Sequence, residues 1–278
     1  MGYLIYNGFI IEEEEFILPV NNRALSYGDG LFETLIYHNK KVRFINEHIT
    51  RLTEGLKTLQ IELPAKLTAK QLEKDIIMLA GRNNLYSEAR VKLLVWRKTG
   101  GLFEPETNQA EYLLFTKTYR RPTEMKAEVY FCTKTKLHIH PWSQYKCLNA
   151  LPYVMAGVEK KEKHADDVII CNQNNFVAEC LYSNVWWIDN NKLYTPALES
   201  GCINGIMRGQ ILDLCKKNKI EYEEGLYTRE DLMKADTIFT SNVNGLALIR
   251  RVDERGFGQP HYLFNDLKLK VEELLKNQ

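Results

Sequence analysis

From residue 127 onward the chain is cut into strand-length apolar runs: AEVYFCT (127–133), DVIIC (167–171), FVAECLY (176–182), VWWI (185–188) and KLYT (192–195). Turns separate them, one carrying Asp189-Asn190-Asn191, and no regular β-α-β alternation connects them. That pattern indicates α+β layers rather than a doubly wound parallel sheet. The first half obeys a similar rule. Residues 2–11 and 31–37 read as strands around turn-rich segments, with Glu12 to Glu15 a solvated hairpin edge. From Asn46, Ile49, Leu52, Leu56 and Leu59 follow helical spacing, and Pro64 is the expected stop. Thr68 and Gln71 form a capping box for a helix through about Leu79. ARVKLLVWR (89–97) and EYLLFTK (111–117) read as strands, the former placing Arg90 and Lys92 on one face. TYRRP (118–122) is the best linker, which predicts two domains, residues 1–119 and 120–278. In the second, a helix from about Gly205 to Lys217 buries Ile206, Ile211, Leu212 and Leu214. Strands at 237–240 and 246–252 and an amphipathic helix at 263–276 close the chain.

Composition narrows the function classes. Of 278 residues, 45% are hydrophobic, enough for a substantial core, and the formal charge is +1. A near-neutral balance gives no footprint for nucleic acid or an anionic membrane surface. No apolar stretch reaches membrane-spanning length, and the start MGYLIYNGFIIEEEE lacks a basic flank and a small-residue cleavage site. A cytoplasmic protein is therefore expected, with no membrane and no nucleic-acid partner. Cys132, Cys147, Cys171, Cys180, Cys202 and Cys215 lie singly in apolar segments, which predicts reduced, buried thiols.

Several common sites lack their signatures. There is no G-x-G-x-x-G after a strand and no Walker lysine loop. His138 and His140 would share a strand face, but no third ligand sits at a supporting spacing, so no metal is expected. What remains is scattered. Lys146 stands in SQYKCLNAL, either on the surface or among apolar neighbours. His48 and Arg51 lie one turn apart on a helix face that could equally be solvated. Glu179, inside FVAECLYSN, is either exposed or matched to a cation. SGCINGIMRG leads a loop into a helix at Gly205–Ile206, where open N–H groups suit an anion or simply serve a turn.

Read together, six blocks resemble the class IV aminotransferase family, pyridoxal phosphate enzymes of fold type IV. The blocks are RALSYGDGLFET (23–34), EHITRL (47–52), KCLN (146–149), AECLYSNVW (178–186), GCINGIMR (201–208) and FTSNVN (239–244), and they stand in family order. The resemblance implies an α+β, two-domain fold like that of D-amino-acid aminotransferase, with a small N-terminal domain and a larger C-terminal one carrying the Schiff-base lysine. It also implies a homodimer with active sites near the subunit interface and a small amino substrate. Lys146 would be the catalytic amine joined to pyridoxal 5'-phosphate, which needs a lysine able to lose its proton. Glu179 would keep the pyridine nitrogen protonated. Arg51 would pair with the phosphate beside the N–H groups of Ile206 and Met207. Ile203 would pack on the ring, Ser183 and Asn184 would shape the turn after the glutamate, and Asn242 and Val243 would complete the cofactor pocket. Tyr27, Phe32, Arg90, Lys92 and Arg97 are the substrate-binding candidates, with Arg97 beside the entrance loop KTGGLFEP. Two positions depart from the family pattern, since Met207 and Val243 stand where relatives often carry hydroxyl residues.

The reaction is less constrained than the family. The KCLN spacing looks like that of the lyases and D-amino-acid transaminases. RLTEGLKTLQIE (51–62) and AECLYSNVWW are most similar to aminodeoxychorismate lyases, which expel pyruvate and leave 4-aminobenzoate for folate synthesis. That lyase is the first expectation. A transaminase acting on D-amino or branched-chain amino acids is the alternative, and a catalytically silent cofactor-binding homologue is the second alternative.

Overall fold

A computed structural model describes residues 2–278 and divides them into two compact units. The first comprises the chain through Arg120 together with Tyr145–Ala150 and Gln278, and the second comprises Arg121–Gln144 and Leu151–Asn277.

The first unit is an antiparallel sheet of β1 (Tyr3–Tyr6), β2 (Phe9–Glu12), β3 (Gly30–His38), β4 (Lys41–Val42), β5 (Glu88–Arg97) and β6 (Ala110–Thr118), in the order β2-β1-β6-β5-β3-β4. Its helices are α1 (Arg23–Tyr27), α2 (Ile45–Thr58) and α3 (Ala69–Arg82). Alternation along β3 and β5 sends Leu31, Leu35, Val91, Leu93 and Val95 to one face, where they pack with Leu52, Leu56, Leu72, Ile76 and Leu79 of α2 and α3. Each such side chain stabilises the fold by roughly 1.5–3 kcal/mol. Thr68 caps α3, its side chain accepting from the Gln71 N–H at 3.2 Å, but the reciprocal half of the expected box is replaced: the Gln71 side chain donates to Asp75 at 2.8 Å and the Thr68 N–H to the Lys66 carbonyl. The end of α2 differs from the sequence expectation. The helix stops at Thr58, well before Pro64, because Gln60 turns left-handed (φ 54°). The N–H groups of Gln60 and Ile61 then close back on Lys57 and Leu56 carbonyls at 3.1 and 2.8 Å, a Schellman arrangement.

The second unit contains two sheets. One holds β8 (Val129–Phe131), β9 (Asp167–Cys171), β10 (Val177–Cys180), β16 (Arg251–Val252) and β17 (Arg255–Gly256), in the order β10-β9-β8-β16-β17. The other orders β13 (Tyr222–Gly225), β12 (Lys192–Pro196), β11 (Asn184–Asp189), β14 (Thr237–Asn242), β15 (Gly245–Ile249) and β7 (Met125–Lys126) side by side. Helices α4 (Leu151–Glu162), α5 (Ile206–Asn218), α6 (Arg229–Leu232) and α7 (Tyr262–Lys276) complete it. β8 and β9 are parallel across α4, and β12 and β13 are parallel across α5, so two crossovers sit within an otherwise mixed topology. Helix α4 escaped sequence reading for a physical reason: Leu151, Val154, Met155 and Val158 are exposed, while Ala156 and Glu159 are buried.

All six cysteines are free thiols, five of them buried. Among the described residues no group of three His, Cys, Asp or Glu could hold a metal ion. His138 and His140 instead stack on each other, and His140 stacks on Trp142 at 5.0 Å. Among the described residues no helix is long and apolar enough to cross a membrane.

Candidate active site

Lys146 is placed by the edge of β3. β4 covers only the end of that strand, at Tyr37 and His38, so the Gly30–Phe32 backbone is open to another partner. The KCLN stretch takes it. The Phe32 N–H donates to the Lys146 carbonyl at 2.8 Å, the Leu148 N–H donates to Gly30 at 2.9 Å, and Leu31 bridges Cys147. These bonds explain why the stretch, expected in the C-terminal domain, packs with the first unit. Tyr145 is buried in the core of that unit, and burial pushes the Cys147 thiol up to about 11. The Lys146 ammonium lies 5.2 Å from the Phe32 ring centroid. Lys92 reaches the same ring at 3.4 Å.

Arg51 is held by a partner that the sequence reading overlooked. Glu33 is 2% exposed. It accepts from Arg51 Nε at 2.8 Å, from Arg51 Nη2, and from His48 Nδ1 at 2.7 Å. Burial alone would raise this carboxyl. The Arg51 charge and the His48 hydrogen bond outweigh it and bring the pKa down to about 2. Because an ionised carboxylate only accepts, His48 carries its proton on Nδ1. The signal was legible: odd-numbered residues of β3 point into the core, and a carboxylate at such a position requires a cation.

The substrate candidates separate. Arg90 is exposed and Lys92 half-buried on the face expected for them. Tyr27 lies under the Arg23 guanidinium at 4.9 Å and against Phe103. Arg97 corrects an expectation. It is 7% exposed, with Nε on Asp29 at 3.0 Å, Nη1 on the Gln60 carbonyl and Asn108, and Nη2 on the Leu59 carbonyl at 2.8 Å. Its guanidinium is thus engaged with the carbonyls of the turn that follows α2 and with Asp29 and Asn108, instead of standing open at an entrance.

In the second unit Glu179 is 3% exposed on β10. Tyr153 donates to its Oε1 at 2.6 Å and the Ile203 N–H to its Oε2 at 3.3 Å. Burial, and after it the Glu179 charge, holds the neighbouring Cys202 thiol up at about 12. The turn after it is closed by Cys180 and Ser183, whose N–H and carbonyl pair at 2.8 Å, while Ser183 Oγ accepts from Lys126. Asn184 Nδ2 donates to the Ile203 carbonyl at 2.8 Å and so ties β11 to the loop before α5. Gly205 is the N-cap of α5 and offers no capping side chain to the N–H groups of Ile206 and Met207, both buried residues. A Cβ on Gly205 would collide with Asn184 Oδ1. A helix start without a capping side chain from its N-cap residue suits an anionic group. Asn242 and Val243 lie at the β14–β15 turn, with Asn242 donating to the Tyr182 carbonyl at 3.3 Å and accepting from Asn244.

The amino-transferase class IV family model matches residues 30–253, and the chain belongs to that family of enzymes. It is 25% identical over 285 residues to a D-alanine aminotransferase of Bacillus licheniformis, covering 99% of this chain and 98% of the relative. It is 26% identical over 232 residues to an aminodeoxychorismate lyase of Vibrio harveyi, covering 81% and 83%. Among solved structures, the branched-chain aminotransferase of Thermoproteus uzoniensis with norvaline superposes with a TM-score of 0.89 at 21% identity, covering 100% of this chain and 96% of the other. The T.th. branched-chain amino acid aminotransferase with pyridoxamine 5'-phosphate gives 0.87 at 22%, covering 100% and 95%. The mixed α+β fold is therefore fold type IV.

Proposed function

We propose that this chain is a pyridoxal phosphate-dependent aminotransferase acting on a small amino acid of the D or branched-chain type. The observation that carries the reading is the family match over residues 30–253, which includes an edge-anchored Lys146 and a buried, ionisable Glu179. Each unit carries residue types that the cofactor would use. Lys146 supplies an amine for its aldehyde carbon, Glu179 a carboxylate for its ring nitrogen, and the uncapped start of α5 at Ile206 and Met207 two N–H groups for its phosphate, with Arg51 nearby in role. When bound, the cofactor supplies an electron-accepting ring conjugated to the substrate's amino-bearing carbon. Lys146 moves the proton on and off that carbon as general base and acid. Tyr153 and the Ile203 N–H hold Glu179 in orientation. Ile203, Asn184, Ser183, Asn242 and Val243 shape the walls, and Tyr27, Phe32, Arg90 and Lys92 are the substrate-side candidates.

A homodimer belongs to the same reading. The apolar face of α4, formed by Leu151, Val154, Met155 and Val158, is exposed in one chain and suits burial against a second copy. Sedimentation at micromolar concentration tests it, with a monomer as the opposing result.

One observation favours the aminodeoxychorismate lyase as a second reading: a lyase is among the relatives, at 26% identity over 81% of this chain, beside 25% for the D-alanine aminotransferase. The deciding assay supplies cofactor and compares two reactions. Transfer from D-alanine or leucine to 2-oxoglutarate supports the aminotransferase, and pyruvate with 4-aminobenzoate from aminodeoxychorismate supports the lyase. Borohydride reduction should fix the cofactor to Lys146 in either case; attachment to another lysine removes both.

A further inference from the structure

A regular β10 would turn Glu179 into an apolar core. Val177 belongs to the buried cluster of Val129, Phe131 and Ile169, and strict alternation would send Glu179 to the same side. The strand is interrupted instead. Val177 pairs with Cys171 and Glu179 with Ile170, so Ala178 is an extra residue, a one-residue bulge. Past the bulge the faces exchange: Cys180 joins Val177 in that cluster, and Glu179 shares the face of Ile170, where Tyr153 of α4 reaches it. The direction of the acid therefore depends on the bulged register, since a slip of one residue moves a side chain to the opposite face.

A buried ion pair ties down the turn that follows, from Cys180 to Ser183. Asp167, fully buried at the start of β9, accepts through Oδ1 from the Leu181 N–H at 3.2 Å and from the Val168 N–H at 2.9 Å. Its Oδ2 pairs with the Lys126 ammonium, which also donates to Ser183 Oγ at 3.2 Å. β10 belongs to one sheet of the second unit and β11 to the other, and Asp167 on β9 and Lys126 on β7 repeat that division. The pair thus joins both sheets where the chain crosses between them. Desolvation largely offsets the attraction in such a pair, so its net gain over apolar residues of similar volume is small. Its separation is costly all the same, because a slipped register would leave buried charges apart. We propose that Lys126, anchored by Asp167, is a positioning residue for Glu179: it pins the bulged register and so aims the carboxylate at the cofactor's ring nitrogen. This rests on the reading that Glu179 serves that nitrogen.

The test compares the affinity of the full chain for pyridoxal 5'-phosphate and for its deaza analogue, in which carbon replaces the ring nitrogen while aldehyde and phosphate are kept. The unmodified chain should prefer the nitrogen-bearing ring, and Glu179→Ala should abolish the preference. Lys126→Met combined with Asp167→Asn removes both charges at nearly constant volume. In that double variant the urea midpoint should stay close to that of the unmodified chain while the preference falls about tenfold, the scale of loss for a group displaced by a fraction of an ångström. Lys126→Arg, which can keep the pair, should retain most of the preference. The ratio is read within one protein, so a loss of stability weakens both ligands alike and does not move it. A double variant that keeps the full preference, whatever its stability, makes the pair merely structural and overturns the positioning role while the reading of Glu179 stands. An unmodified chain that binds both ligands equally overturns the reading of Glu179, and the proposal with it.

Discussion

Tyr153 of α4 donates a 2.6 Å hydrogen bond to Glu179 of β10, joining a helix invisible to sequence periodicity with the acid that the sequence singled out. A hydrogen bond to a buried carboxyl oxygen is worth about 0.5–3 kcal/mol. Tyr153→Phe should therefore lower the midpoint of urea unfolding without changing its slope. In a Glu179→Ala background, which has no acceptor, the same change should matter much less. Equal losses in both backgrounds would mean that Tyr153 stabilises through packing and not through Glu179.

Glu33 gives a pH prediction with a defined sign. Its folded pKa, about 2, lies below the usual carboxylate value of 4.5. Its contribution to stability is present above the unfolded pKa and is lost as pH falls from about 4.5 toward 2. Glu33→Gln should flatten that part of the acid-unfolding curve. At pH 7 it should cost about 3–5 kcal/mol, because it breaks the buried pair between Glu33 and Arg51. Thermal unfolding measured from pH 2 to 7 in both proteins checks this; parallel curves would assign the acid sensitivity to other carboxylates.

Much of this fold is legible in the sequence, and the parts that are not have physical causes. The strands 89–97, 111–117 and 167–171 were recovered because alternation and turn punctuation agree there with burial. Lys146 and Glu179 stood out through the blocks around them. Helix α4 did not, because its apolar residues face outward and its buried positions include Glu159, held by Cys132, Thr133 and Lys134. The partner of Arg51 is harder to read, because Glu33 is distant in sequence and only strand parity points to it. Arg97 looked like an entrance residue. No local pattern reveals that α2 ends in a Schellman turn whose carbonyls require a donor.

The Arg97 assignment separates stability from substrate binding. Removing the buried guanidinium takes a donor from the carbonyls of Leu59 and Gln60 and from the carboxylate of Asp29, which keeps Arg23. Arg97→Ala should destabilise the chain by about 2–4 kcal/mol and leave KM for the amino donor within about twofold at temperatures where the variant is folded. A tenfold rise in KM with unchanged stability would return Arg97 to the substrate side.

Gly205 tests the anion site at the start of α5 without touching a charged residue. Its φ of −66° is open to any amino acid, so backbone strain is not the constraint. Space is: an added Cβ meets Asn184 Oδ1, the side chain that ties β11 to the loop through the Ile203 carbonyl. Gly205→Ala should force Asn184 aside, cost about 1–3 kcal/mol of stability and weaken pyridoxal phosphate binding, read as the rise of its visible absorbance on titration. Adding Asn184→Ala relieves the collision but removes the tie, so the double variant should regain stability and not regain affinity. If Gly205→Ala alone binds the cofactor normally, the helix start is not where the phosphate sits.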